Sequence, residues 1–167
     1  MITDMDAAVK IYLSEVKYEV KFDTWRSEKS VNDELKTRNK QTSKVNTAYD
    51  DDRAEDWLVR KIQDAIDNVY GECRWCIHDR SQFESDEILE NPTEWTIHFI
   101  FADSWRGSVK ALKRHVHRYI CEYVLSQWYR AAQPGVAATY SYSADEELSK
   151  VYEEARNERV VLEPWRL

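Results

Sequence analysis

Trp95-Thr96-Ile97-His98-Phe99-Ile100-Phe101, running on through Asp103 and Ser104 to a periodic segment that ends near Trp128, is the stretch on which the fold turns. In its first part Trp95, Ile97, Phe99 and Phe101 fall on alternate residues, so four large apolar groups share one face of a strand. Asp103 and Ser104 carry side-chain oxygens able to accept from the free amides of a starting helix. Beyond them Val109, Leu112, Val116, Ile120, Tyr123 and Val124 recur at three- and four-residue intervals, which is the spacing of an amphipathic helix. No other stretch carries as much ordered apolar surface, and by itself it describes a core rather than an activity.

The segments on either side fill in a mainly helical frame. Residues 9–25 read two ways: Val16, Tyr18, Val20 and Phe22 alternate as in a strand, whereas Val9, Leu13, Val16 and Val20 share a helical face. The helix is preferred, from about Ser14 to Ser27, with a short extended piece at 11–13 before it. Residues 28–52 are polar and predict a mobile arm, because they offer too little apolar surface to offset the entropy of ordering. Asp50, Asp51 and Asp52 suit a helix N-terminus. Trp57, Leu58, Ile62, Ala65, Ile66, Val69, Cys73 and Cys76 then form a helical stripe to about Ile77, with Asp56–Arg60 and Lys61–Asp64 as ion pairs one turn apart.

Asn91-Pro92-Thr93 is a turn signal, and the flanking segments 84–89 and 95–101 predict a small β-hairpin. Gln133-Pro134-Gly135 reads as the stop of the long helix. Ser143 with Glu146 reads as a capping box opening a last helix whose stripe is Leu148, Val151, Tyr152 and Ala155. Residues 160–167 should form an extended tail. The expectation is a single domain over 1–167, mainly α: a bundle of three to four helices with a small β-hairpin.

Composition narrows the class. The 167 residues are 43% hydrophobic and 33% charged, enough for one sizeable core and too charged for a membrane chain. No apolar run approaches the roughly 18 to 20 residues needed to span a bilayer, and the acidic start Met1-Ile-Thr-Asp-Met-Asp6 has no signal-peptide pattern. A cytoplasmic location is the expectation. The net charge of −7 argues against a dedicated nucleic-acid binder. Three glycines and three prolines are few for this length, which favours helices over a turn-rich β fold. Seven tryptophans and ten tyrosines suit large contact surfaces.

The residue types that carry chemistry do not assemble into a catalytic pattern. Cys73-Arg74-Trp75-Cys76 has the spacing of a redox or zinc half-site, but it falls inside or at the end of a helix, and no second ligand pair of matching spacing exists. Buried thiols are the expected reading, free ones given three cysteines. His115 and His117 are two apart on a helix and point about 200° apart, so they cannot share a metal face. His98 lies on the strand and could join them only through tertiary contact. Asp50, Asp51, Asp52, Glu84 and Asp86 offer carboxylates without an apolar setting for a raised pKa. There is no glycine-rich phosphate loop and no nucleophile elbow. No catalytic, cofactor or metal residue is predicted. Lys110, Arg114 and Arg118, at i, i+4 and i+8, form a basic ridge on the long helix, the one candidate interaction surface. It suits a phosphate backbone or an acidic partner, the chain's own 50–52 region included.

The order of features carries a resemblance. Leu13-Ser-Glu-Val-Lys-Tyr-Glu-Val20 and Trp25 come first, then a polar arm, then a helix with Asn68-Val-Tyr-Gly-Glu72. Ser85-Asp-Glu-Ile-Leu-Glu-Asn-Pro-Thr-Glu-Trp95 leads into the strand, and Leu112-Lys-Arg-His-Val-His-Arg-Tyr-Ile120 runs into Ser126-Gln-Trp-Tyr129, a Pro-Gly break and a shorter helix. Over roughly 11–167 this resembles small, mostly helical proteins from structural-gene clusters of Bacteroidetes phages and prophages, which look like head–tail connector (neck or adaptor) components. The resemblance implies a non-enzymatic ring subunit of the virion, whose partners are portal-like or tail proteins and further copies of itself. It carries over no catalytic residue. The competing expectation is a generic helical interaction or regulatory module, with a metal-dependent enzyme behind it.

Overall fold

The structure, a computed structural model, describes residues 5–37, 52–77 and 92–157. Among these the order is β1 (Met5–Tyr12), α1 (Leu13–Thr37), α2 (Asp52–Glu72), β2 (Glu94–Phe101), α3 (Val109–Tyr129) and α4 (Pro134–Ala155). The fold class is the expected one, four helices with a two-stranded antiparallel sheet.

β2 behaves as its alternation requires: Trp95, Ile97, Phe99 and Phe101 are buried while the residues between them are half-exposed. Its antiparallel partner is β1, with Val9 opposite Ile97, Ala7 opposite Phe99 and Ile11 opposite Trp95. The two strands thus meet through the termini of a long stretch of chain, and the turn signal at 91–93 precedes β2 without joining it to β1. The expected hairpin partner, 84–89, lies outside the described residues. On the other edge of β2, Ile77 bridges Phe99 and the Ile100 amide donates to the Cys76 carbonyl at 2.7 Å. Both edges of β2 are therefore engaged at Phe99.

The ambiguity in 9–25 resolves to a helix over the alternating Val16–Phe22 segment, while Val9, expected on the helical face, belongs to a strand that ends at Tyr12. Through Tyr12 the chain is a strand with Ala7, Val9 and Ile11 inward, and from Leu13 it is a helix with Leu13, Val16 and Val20 inward. The period changes from two to 3.6 where the strand ends. α1 continues ten residues beyond the expected Ser27, so 28–37 of the expected arm is helical; 38–51 lies outside the described residues, as does the tail 160–167.

α2 ends at Glu72, short of the expected Ile77, and Cys73 to Cys76 form a turn that carries the chain to the β2 edge. The stripe is buried as expected, and the Lys61–Asp64 pair forms at 2.6 Å. Trp57 at the margin of the stripe meets Trp128 edge-on, with centroids 5.5 Å apart. Polar tips buried with their rings are satisfied: Asn68 Nδ2 donates to the Tyr119 hydroxyl at 3.0 Å and Trp95 Nε1 to Gln63 Oε1 at 3.0 Å. Burial pushes the Tyr119 hydroxyl up to about 12.

Two helix starts differ from expectation. Ser108, not Asp103 or Ser104, caps α3, its Oγ accepting from the Ala111 amide at 3.3 Å. Asp103 and Ser104 sit in a turn that lets Trp105 fold back onto Phe101, the rings stacked at 4.1 Å and 5°. Trp105 Nε1 donates to the Glu154 carbonyl at 2.9 Å and the Arg106 amide to the Asn157 carbonyl at 2.7 Å, which ties the start of α3 to the end of α4. Gly107 belongs here because a Cβ would lie 2.4 Å from the Trp105 ring and 2.7 Å from the Glu154 carbonyl oxygen. Val109, expected in the apolar stripe, is exposed in the first turn.

α4 begins at Pro134, so Pro-Gly ends one helix by starting the next, and Ser143 and Glu146 lie mid-helix. Proline at the first helical position gives up an amide that has no intrahelical partner anyway. The small residues of 136–144 let α4 lie close to α3, with Ala137 and Ala144 buried and Tyr140 stacked on Tyr129 at 5.7 Å.

Candidate functional site: the groove between the first and third helices

α1 and α3 pack through their apolar stripes, and along their polar flanks they leave an open groove of about 1040 Å³. Glu15, Tyr18 and Glu19 come from α1; Lys110, Arg114 and Arg118 come from α3. The predicted ridge therefore forms one wall of this groove. Lys110 and Arg114 are exposed and have no ion pair among the described residues. Arg118 leans the other way, with Nη1 at 3.8 Å from Glu147 Oε1 on α4. The ridge thus has two outward cations and one shared with the α3–α4 interface.

Glu147 is itself unexpected. It is 7% exposed, and it accepts from His115 Nδ1 at 2.7 Å and from Lys150 Nζ at 3.0 Å. Burial acts to raise its carboxyl, but the hydrogen bonds from His115 and Lys150 outweigh it and hold the group below the usual carboxylate range.

His117 faces the opposite way from His115, as the helical spacing requires, and lies at the floor of the groove. Its Nε2 is 3.2 Å from Glu19 Oε1 and 3.7 Å from Cys121 Sγ. Donor atoms of Glu19, His117 and Cys121 lie within 4.8 Å of one another. His117 Nδ1 is buried without a hydrogen-bond partner among the described residues. Burial, helped by the charge of Glu19, pushes the Cys121 thiol well above its ordinary value. His98 lies apart from these groups on β2, 3.8 Å from Asp6.

Cys73 and Cys76 are both buried and free. The hydrogen bond between them holds the Cys73 thiol up, with burial adding to it, and draws the Cys76 thiol down. Cys76 Sγ also lies 3.3 Å from the Cys73 carbonyl. The pair sits at the C-terminal end of α2, where the helix dipole disfavours a thiolate. Its visible work is to close the turn that meets β2.

A further exposed feature continues the α1 wall. Tyr18, Phe22 and Trp25 are 71%, 48% and 50% exposed. Their rings form a ladder, with centroids 6.5 Å apart for Tyr18–Phe22 and 6.2 Å for Phe22–Trp25. Their i, i+4, i+7 spacing is visible in the sequence, but the reading of Val16, Tyr18, Val20 and Phe22 as alternating hides it.

Compared with protein-family models, curated proteins and solved structures, the chain matches none of them. No helix among the described residues is long and apolar enough to cross a membrane.

Proposed function

We propose that this protein is a non-enzymatic structural subunit of a phage or prophage particle, a head–tail connector or neck component that joins a ring. The observation that carries the reading is the exposed aromatic ladder Tyr18, Phe22 and Trp25, whose first ring, Tyr18, lines the same groove as the outward cations Lys110 and Arg114. Aromatic and arginine side chains are the groups enriched where proteins bury surface against one another. Closed rings use heterologous interfaces, in which one patch of a subunit meets a different patch on the next. With a net charge of −7, a second copy or a portal-like partner of similar balance would present acidic surface to the basic wall. The net charge gives no support to contact with DNA. A generic helical adaptor would use the same groove for an acidic partner of another kind.

Composition of purified particles separates the two. The protein is expected to be weakly associated alone and to be found by mass spectrometry in particles from the host, with portal, capsid or tail genes beside its own. Reversal of the wall by Lys110→Glu with Arg114→Glu should reduce its incorporation at least tenfold while leaving thermal stability unchanged, because both side chains are exposed. Absence from particles, with a toxin or regulator gene as neighbour, would replace the connector by the adaptor.

A further inference from the structure

We propose that Glu19, His117 and Cys121 bind one zinc-class divalent cation, which clips α1 to α3 at the floor of the groove. The three side chains supply the oxygen, nitrogen and sulfur donors that zinc accepts, from an exposed carboxylate, an imidazole and a buried thiol. His117 and Cys121 are four residues apart on α3 and so share a face, while Glu19 reaches across from α1. The spacings suit a shared ion. Bond lengths of about 2.0–2.1 Å to nitrogen and oxygen and about 2.3 Å to sulfur set tetrahedral edges of about 3.3 Å for N–O and about 3.6 Å for N–S. The observed separations are 3.2 Å for Nε2 to Glu19 Oε1 and 3.7 Å for Nε2 to Cys121 Sγ. Two of the three edges therefore already have tetrahedral length, and the third, from the Glu19 oxygen to Cys121 Sγ, is within 4.8 Å.

A divalent cation at this place would hold its coordinating thiol as the thiolate. Without metal, Nε2 meets the Glu19 carboxylate at 3.2 Å; a cation would take the place of a proton between them, with the imidazole proton then on Nδ1, which has no partner among the described residues. Binding sends the Cys121 thiol proton to solvent and takes His117 as the neutral imidazole. Glu19 and His117 line the groove, so the fourth corner is left to water or to an anionic group of a bound partner. The site stands on these three side chains and does not rest on the connector reading.

Metal-stripped full-length protein, kept reduced, is titrated with Co2+ as a spectroscopic probe and then with Zn2+ in competition. One equivalent of Co2+ should bind with a thiolate-to-metal charge-transfer band, and Zn2+ should displace it. The same band should persist in Cys73→Ser and vanish in Cys121→Ser. Glu19→Gln, at a side chain 51% exposed, should weaken affinity at least tenfold and keep the native circular dichroism spectrum without metal. Zinc at about a thousandfold over Kd should raise the wild-type melting temperature by roughly 8 to 16 °C. No binding in the wild type would overturn the proposal, as would a band and affinity unchanged in both Cys121→Ser and Glu19→Gln. The second variant decides the matter if the first does not fold.

Discussion

Glu147 shows how a single side chain can hold an interface without signalling its role in sequence. It faces His115 and Arg118 from α3 and Lys150 from its own helix, with Glu122 and Glu146 as the opposing charges nearby. Its carboxyl is depressed in the folded state, so its contribution is full above the unfolded value near 4.5 and is lost as pH falls through the lower folded value. Glu147→Gln should therefore melt below the wild type at pH 7, by about 2 to 12 °C for a loss of about 1–3 kcal/mol. The gap should close as pH falls below about 4.5 and through the lower folded value, read by thermal melts across pH. A gap of equal size at both ends would show that shape, not charge, is what Gln fails to replace. In the sequence His115 is a polar residue on a helix, and nothing marks its partner 32 positions away. The divergence of His115 and His117 was legible from helical spacing, and so was the shared face of His117 and Cys121. Glu19 was not, because its role depends on how α1 lies against α3.

At the scale of elements, periodicity foretold which residues are buried better than it foretold where helices begin. The stripes of α2 and α3 and the alternation of β2 were readable because burial repeats at the period of the element. Helix starts were not, since several oxygens compete to cap and tertiary packing chooses among them. Asp103 and Ser104 are good caps by type, yet Trp105 must first stack on Phe101 and reach Glu154, and only then can a helix begin. The next suitable oxygen is Ser108. Ser108→Ala should cost about 1 kcal/mol, within the range of roughly 0.5–2 for lost caps. Ser104→Ala should stay within about 0.5 kcal/mol, as surface changes away from such features do. Urea melts of the two variants check this; a larger loss at Ser104 would return the cap to the earlier position. The Pro-Gly break was misread for a related reason. Proline forbids a helix interior but suits its first turn, so the residues that read as the stop of α3 open α4, five positions after Tyr129.

For the whole molecule, the unforeseen pairing of β1 with β2 has kinetic consequences. No local pattern links Val9 to Ile97, and only the need of a buried strand for partners brings them together. Closing that contact fixes a loop of more than eighty residues, an entropic cost met before any of its contacts form. α3 and α4 are placed differently. They follow each other through the short connection 130–133, share an extensive apolar face and are pinned at the far end by Trp105 and Glu154. The α3–α4 pair should thus form the folding nucleus, with the sheet closing afterwards. Val151→Ala and Val9→Ala remove similar fully buried groups, each at a cost of about 1–3 kcal/mol. They should divide that loss in opposite ways. Val151→Ala should slow folding, with φ above about 0.5, whereas Val9→Ala should leave folding nearly unchanged and speed unfolding, with φ below about 0.3. Stopped-flow chevrons of the two variants measure both limbs. A high φ at Val9 would mean that the strands pair in the transition state, so that the long-range sheet, not the α3–α4 helical hairpin, commits the chain to this fold.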